Sequence, residues 1–308
     1  MTDVNIKSCV RNYAAIDIGS NAVRLLVKRV ERYADGSTAF YKMQLLRVPL
    51  RLGFDVFKDG KISDKKEKNM VRLMKAYRHL MKIYDVDVYR ACATSAMRDA
   101  DNGRDIIKRI EKKTGIKIDI LEGEEEARMI YDSHQQYMKE KEGNFMYVDV
   151  GGGSTEVNLL SHGQPVYRCS YNIGTVRMLN EAVRPEEWEH LRKDMTNLSA
   201  QYPGINIVGS GGNINKLYRL VEKKNKKLSR MSVKTLSELH DTLKVLNVTG
   251  RMKIFNLKPD RADVIVPAGE IFLTIASLTG AEFIYVPTIG LSDGIIDALY
   301  NEDLKNGR

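Results

Sequence analysis

Ala14-Ala15-Ile16-Asp17-Ile18-Gly19-Ser20-Asn21 and Met146-Tyr147-Val148-Asp149-Val150-Gly151-Gly152-Gly153-Ser154-Thr155 follow one pattern, and their aspartates lie 132 residues apart. In each, an apolar run ends at an aspartate, turns on glycine and hydroxyl-bearing residues, and returns at once to an apolar run. Glycine allows a strand to turn tightly and to bring successive backbone N–H groups together, a geometry that binds phosphate oxygens. An aspartate beside such a turn can hold a divalent cation that the same oxygens touch. A single Asp-x-Gly turn is ordinary hairpin punctuation. Two copies at half-chain spacing, each followed by a strand rather than a helix, predict a duplicated fold whose halves face one another across a phosphate.

Outward from the first turn, residues 10–30 read as two strands and 42–52 as a third. Ser63 stands where a helix cap belongs, and Met70, Met74, Tyr77 and Met81 then recur at helical spacing, a core stripe. A strand over 86–93, a helix over 105–114 stopped by Gly115, a strand over 116–121 and a long helix over 124–141 complete the first half. The second half restarts with strands near 145–150, 157–160 and 165–170, then helices over 176–182 and 186–201. A strand over 205–208 opens into Gly209-Ser210-Gly211-Gly212-Asn213, followed by a helix. Helices over 235–247 and 261–278, a strand over 283–286 and a last helix from 292 close the chain. The expectation is an α/β protein of two domains, residues 1–128 and 129–308, with mixed sheets flanked by helices and an interdomain cleft. The terminal helix, 292–308, is expected to pack back on the first domain.

Of the 308 residues, 43% are hydrophobic and 29% charged, a globular composition rather than a disordered one. The opening Met-Thr-Asp-Val-Asn-Ile-Lys-Ser-Cys-Val lacks a signal-peptide core. No apolar run is read as approaching the ~20 residues of a bilayer span, so a cytoplasmic protein without a membrane partner is expected. Cys9, Cys92 and Cys169 are too scattered to suggest a disulfide framework or a zinc site, and the five histidines show no metal spacing. The net charge of +9 favours polyanions. Its densest run, Lys223-Lys224-Asn225-Lys226-Lys227, reads as a solvated helix end, and no stable nucleic-acid partner is expected. The sequence leaves the oligomeric state open, a homodimer included.

The chemistry-bearing residues are coherent by themselves. Asp17, Asp149 and Glu156 are hard oxygen ligands suited to Mg²⁺. Gly19, Ser20 and Asn21 on one side, and Gly151, Gly152, Gly153, Ser154 and Thr155 on the other, supply donors for phosphate. Arg98, after a strand end beside Thr94 and Ser95, can clamp phosphate with its planar fork. Gly209, Ser210, Gly211 and Gly212 can admit a nucleotide or more distal phosphates at a helix start.

The segment AAIDIGSNAVRLLV at 14–27, with ATSAMRDA at 93–100, EGEEEARMIY at 122–131, VDVGGGSTEV at 148–157, GSGG at 209–212 and RADVIVPAGEIF at 261–272, resembles the exopolyphosphatase / guanosine pentaphosphate phosphatase (Ppx/GppA) family. The blocks stand in family order over about residues 12–300. The resemblance implies membership of the actin, sugar-kinase and Hsp70 superfamily, with two ribonuclease-H-like (actin-like ATPase) domains. It also implies Mg²⁺-dependent release of terminal phosphate from inorganic polyphosphate, or of the 5′ γ-phosphate of guanosine pentaphosphate, by direct attack of water. The family pattern puts its general base at Glu126, with Glu125 the neighbouring alternative. Longer members carry a further helical C-terminal region that does not follow Arg308 in this sequence, so the resemblance leaves processivity on long chains open. Two other readings stay open: an ATP-dependent kinase of a small metabolite, for which no acceptor base is evident, and a polyphosphate- or alarmone-binding regulator without turnover.

Overall fold

The apolar residues around Asp17 and Asp149 build the centre of two sheets. In the computed structural model, residues 7–138, 142–287 and 289–306 are described. Three antiparallel strands open the chain, β1 (Lys7–Ile18), β2 (Val23–Tyr33) and β3 (Thr38–Val48). Helices α1 (Gly53–Asp59) and α2 (Asp64–Ile83) lead to β4 (Val88–Ala93), and α3 (Ser95–Asp99) and α4 (Gly103–Thr114) to β5 (Ile118–Ile120). The sheet order is β3-β2-β1-β4-β5, with β4 parallel to both β1 and β5. Helix α5 (Gly123–Met138) then crosses to the second half; Lys139, Glu140 and Lys141, expected as its end, lie outside the described residues.

The plan repeats. Strands β6 (Asn144–Val150), β7 (Thr155–Ser161) and β8 (Gln164–Tyr171) form the second meander, followed by α6 (Thr175–Leu179) and α7 (Pro185–Gln201). Next come β9 (Asn206–Ser210), α8 (Gly211–Leu220), β10 (Arg230–Ser232), α9 (Val233–Val245), α10 (Val248–Phe255), α11 (Pro259–Ala262), α12 (Ile265–Thr279), β11 (Phe283–Tyr285) and α13 (Leu291–Lys305). The order β8-β7-β6-β9-β11 matches that of the first sheet, with β10 added antiparallel at the far edge.

Each sheet is covered on both faces, which is why its central strands read as nearly continuous apolar runs. One face of the first sheet packs Ile16, Leu25 and Val27 against Met70, Met74 and Tyr77 of α2 and Ile106 and Ile110 of α4. The other packs Ala15, Leu26 and Cys92 against Ile130 of α5 and Ile295, Ile296 and Leu299 of α13. The last helix therefore lies on the first sheet. In the second sheet, Met146, Val148 and Val157 bury against α7, α8, α9 and α12, while Tyr147 and Leu160 meet Tyr131 of α5. Helices α5 and α13 form the layer between the two sheets.

Three sequence expectations change. The helix expected over 261–278 is two helices, with Pro267 in the first turn of α12, where its missing N–H falls among donors that have no intrahelical acceptor. The three-residue β10 and the separate α10 carry too few residues for a periodic signal. Residues Pro259–Thr279, with mean hydropathy 1.5 over their most apolar window, do have the length and apolarity of a membrane span, contrary to the sequence reading. Their apolar residues form the centre of the second core, with Ile271, Phe272 and Ile275 fully buried.

Candidate active site

The two aspartates end the two central strands, and strand register decides what stands beside them. Asp17 pairs with Arg24 across β1 and β2, and Asp149 pairs with Glu156 across β6 and β7. The duplication thus sets an arginine in one half where the other half has a glutamate, seven residues after each aspartate. Arg24 Nη1 donates to Asp17 Oδ2 at 2.5 Å. Arg24 falls outside the apolar phase of Val23, Leu25 and Val27, yet it is in phase with the other covered face of the sheet, beside Leu26. Superposing the two repeats in sequence would have revealed it.

The glycine turns are tight and touch one another. Gly19 N–H donates to Ala22 O at 3.1 Å and Gly151 N–H to Ser154 O at 2.9 Å. These two amides hold the turns themselves, so amides available to phosphate belong to the residues that follow. A Cβ on Gly152 would lie 2.9 Å from Ser20 Cβ, so the second turn reaches the first only because it has no side chain there. Ser20 Oγ lies 2.9 Å from Ser95 Oγ, and Asn21 Nδ2 donates to Asp260 O at 3.0 Å, which ties the first turn to the opposite half.

The cleft between these turns has a volume of about 340 Å³ and is lined by Asp17, Gly19, Ser20, Asn21, Glu126, Asp149, Gly151, Gly152, Ser154, Gly211 and Gly212 among others. Glu126, in the first turn of α5, is buried, and its Oε2 has no hydrogen-bond partner among the described residues. Glu125 turns instead to Arg90, 3.4 Å away. Ser210 Oγ donates to Asp149 Oδ2 at 2.6 Å. Gly211 takes φ 84°, and a Cβ there would stand 2.6 Å from Asp149 Oδ1.

The remaining expected residues lie behind this lining. Glu156 is buried, with Ser170 Oγ donating to its Oε1 at 2.9 Å. Thr155 directs its hydroxyl to Ile173 O, at 2.5 Å. Gly153 packs under Ser95 and Phe57, and Gly209 under Ile214 and Phe272. Arg98 Nη1 donates to Leu121 O at 2.8 Å, and its Nε is 3.7 Å from Asp99 Oδ1, so its bonded partners belong to the first half.

Charge divides the cleft. Burial first, then the neighbouring carboxylates Glu156, Asp17 and Asp149, hold Glu126 well above the ordinary glutamate range. Burial and Asp149 push Glu156 up to about 7. Burial also raises Asp149, against the opposing pull of its Ser210 hydrogen bond and of Arg24. Facing these acids are cations that sequence reasoning had missed, Arg47, Lys216, Arg219 and Arg261. Arg261 is lowered to about 9, first by burial and then by Arg47 and Arg24, so like charges are crowded together here. Arg47 pairs with Asp260, but its Nε and Nη2 are buried without acceptors among the described residues. Carboxylates without enough cations on one side and guanidiniums without enough anions on the other suit a divalent cation bound together with a phosphate chain.

The sequence profile of the Ppx/GppA phosphatase family matches residues 29–302. The chain belongs to this family. The crystal structure of the Aquifex aeolicus Ppx/GppA family member superposes with a TM-score of 0.73 at 26% identity, covering 97% of this chain and all of that one. Among curated proteins, the chain is 26% identical over 295 residues to the bifunctional 3-dehydroquinate synthase/phosphatase of Fusobacterium nucleatum, covering 89% of this chain and 44% of that protein. It is 30% identical over 166 residues to exopolyphosphatase 1 of Mycobacterium bovis, covering 54% of this chain and 47% of that protein. It is 23% identical over 299 residues to the guanosine-5′-triphosphate,3′-diphosphate pyrophosphatase of Aeromonas hydrophila, covering 93% of this chain and 59% of that protein. The chain spans about half the length of these curated relatives. In this Ppx/GppA chain, the quoted motif blocks at 14–27, 148–157 and 209–212 meet around one cleft.

Proposed function

We propose that the chain is a Mg²⁺-dependent phosphoanhydride hydrolase that releases terminal phosphate from inorganic polyphosphate or the 5′ γ-phosphate of guanosine pentaphosphate. The observation that carries this reading is the buried, unpartnered Glu126 Oε2 among Asp17, Asp149 and Glu156, facing an arginine-rich wall. The donor set fits Mg²⁺, with Asp17 and Asp149 as ligands and Glu156 as a further ligand or as the acceptor of a metal-bound water. When bound, Mg²⁺ supplies the positive charge that keeps the carboxylates ionised and neutralises the transferred phosphoryl group.

Glu126 accepts a proton as the water oxygen attacks the terminal phosphorus. The anhydride P–O bond breaks, and the leaving phosphate takes the electron pair. Turn amides after Gly19 and Gly151, with the hydroxyl of Ser154, orient the phosphoryl oxygens, and Arg24, Arg47 and Arg261 offset charge along the chain. Similarity to an exopolyphosphatase and to a guanosine-5′-triphosphate,3′-diphosphate pyrophosphatase supports both substrate classes. Phosphate release measured in parallel from short and long polyphosphate, guanosine pentaphosphate and ATP, with and without Mg²⁺, tests the proposal. Mg²⁺-dependent release from polyphosphate or guanosine pentaphosphate is expected. Binding of both without release would leave a regulator in its place.

A further inference from the structure

Strand β8 alternates between two environments. Arg168 and Ser170 reach Asn158 and Glu156 on the side of the carboxylates, whereas Tyr167, Cys169 and Tyr171 belong to the core packed beneath α7. On α7, His190 and Asp194 stand four residues apart, a spacing that brings two side chains together on one helix face. His190 Nε2 lies 3.0 Å from Asp194 Oδ2. That same oxygen accepts from the hydroxyls of Tyr167 at 2.5 Å and Tyr171 at 2.8 Å. The ring of Tyr171 meets the His190 imidazole edge to face, with centroids 5.2 Å apart. One ligand-capable atom each from Cys169, His190 and Asp194 lie within 4.8 Å of one another. Cys169 and His190 show no metal spacing in sequence because one comes from a strand and the other from a helix.

We propose that Cys169, His190 and Asp194 form a zinc-class metal site, separate from the cleft, with water in the fourth position. The donor set is mixed sulfur, nitrogen and oxygen, which selects zinc and related transition ions and is unsuited to Mg²⁺. The tyrosine hydroxyls on Asp194 act as the outer partners that fix a ligating carboxylate. His190 has 55% of its side chain exposed, which gives an ion a route in, while the half-buried Cys169 forms the inner wall. Metal bound here ties the edge strand β8 to α7. Because β8 also carries Ser170 against Glu156, the site braces the back of the catalytic sheet without contacting substrate.

The test uses the full chain, stripped by chelator and titrated with Co²⁺. A near-ultraviolet thiolate-to-cobalt charge-transfer band at stoichiometric cobalt is expected, reversed by Zn²⁺ and unaffected by excess Mg²⁺. The cleft carboxylates contain no sulfur and produce no such band, so the two sites are read apart. Cys169→Ser should abolish the band, and His190→Ala, a change at an exposed side chain, should weaken Zn²⁺ binding roughly 100-fold with far-ultraviolet circular dichroism unchanged. No band at stoichiometric cobalt, a band of equal strength in Cys169→Ser, or undiminished Zn²⁺ affinity in His190→Ala would overturn the proposal and leave a hydrogen-bonded tyrosine, aspartate and histidine cluster.

Discussion

At the residue scale, the contrast between Glu125 and Glu126 carries most of the chemistry. Both sit in the first turn of α5, where acidic residues are favoured by the helix dipole. Only Glu126 lines the cleft, buried and without a partner on Oε2, while Glu125 pairs with Arg90. Glu126→Gln keeps the shape and removes the proton acceptor, so turnover should fall about 10²- to 10⁴-fold with substrate binding retained. Phosphate release and equilibrium binding, measured on this variant and on Glu125→Gln, check it; an active Glu126→Gln with an inactive Glu125→Gln would transfer the role. Asp17 and Asp149 could be picked out in sequence because each follows an apolar run, and Glu126 because it opens a helix. Arg47 and Arg261 could not, since the partners of each, Asp260 and Asn213, come from distant segments, whereas Arg24 is legible once the two repeats are aligned.

At the element scale, surroundings rather than backbone conformation separate two glycines with nearly the same φ. Gly36, in the turn between β2 and β3, has φ 82° and open space where a Cβ would be. Gly211, at the start of α8, has φ 84° but presses on Asp149. Alanine at either position should lower stability by about 1–2 kcal/mol through left-handed strain. Only Gly211→Ala should also reduce turnover, because the added methyl must displace the Asp149 carboxylate. Denaturant midpoints and phosphate release on both variants test this. Equal turnover in the two would mean that the helix start shifts without moving Asp149. Long elements such as α2 and α7 were readable from their apolar periodicity, whereas three-residue β10 exists because β11 offers it an edge.

At the scale of the whole molecule, packing the two halves together concentrates acids that water would otherwise separate. Glu156 titrates at about 7 in the folded chain against an ordinary 4.5. Between those values the folded form holds a proton that the unfolded form has lost, so the stability contributed below the lower value disappears as pH rises through the higher. The metal-free protein should therefore melt at lower temperature at pH 8 than at pH 6, and Mg²⁺ should raise the melting temperature more at pH 8. Calorimetry with and without chelator checks the sign. Greater metal-free stability at pH 8 would show that the carboxylates are already balanced by the arginine wall.

Sequence alone determined the duplication, the mixed α/β class, the two aspartate turns and the acidic helix start, because these are local: periodicity, glycine and charge within a few residues encode them. Tertiary structure alone decided which side of each residue matters. It paired Arg24 with Asp17 where Glu156 stands by Asp149, set the arginines of β3 and α11 into one wall, and brought Cys169 to His190 and Asp194. Each of these juxtapositions joins separate strands or helices, and the register and packing that create them depend on burial across the whole chain rather than on any one segment.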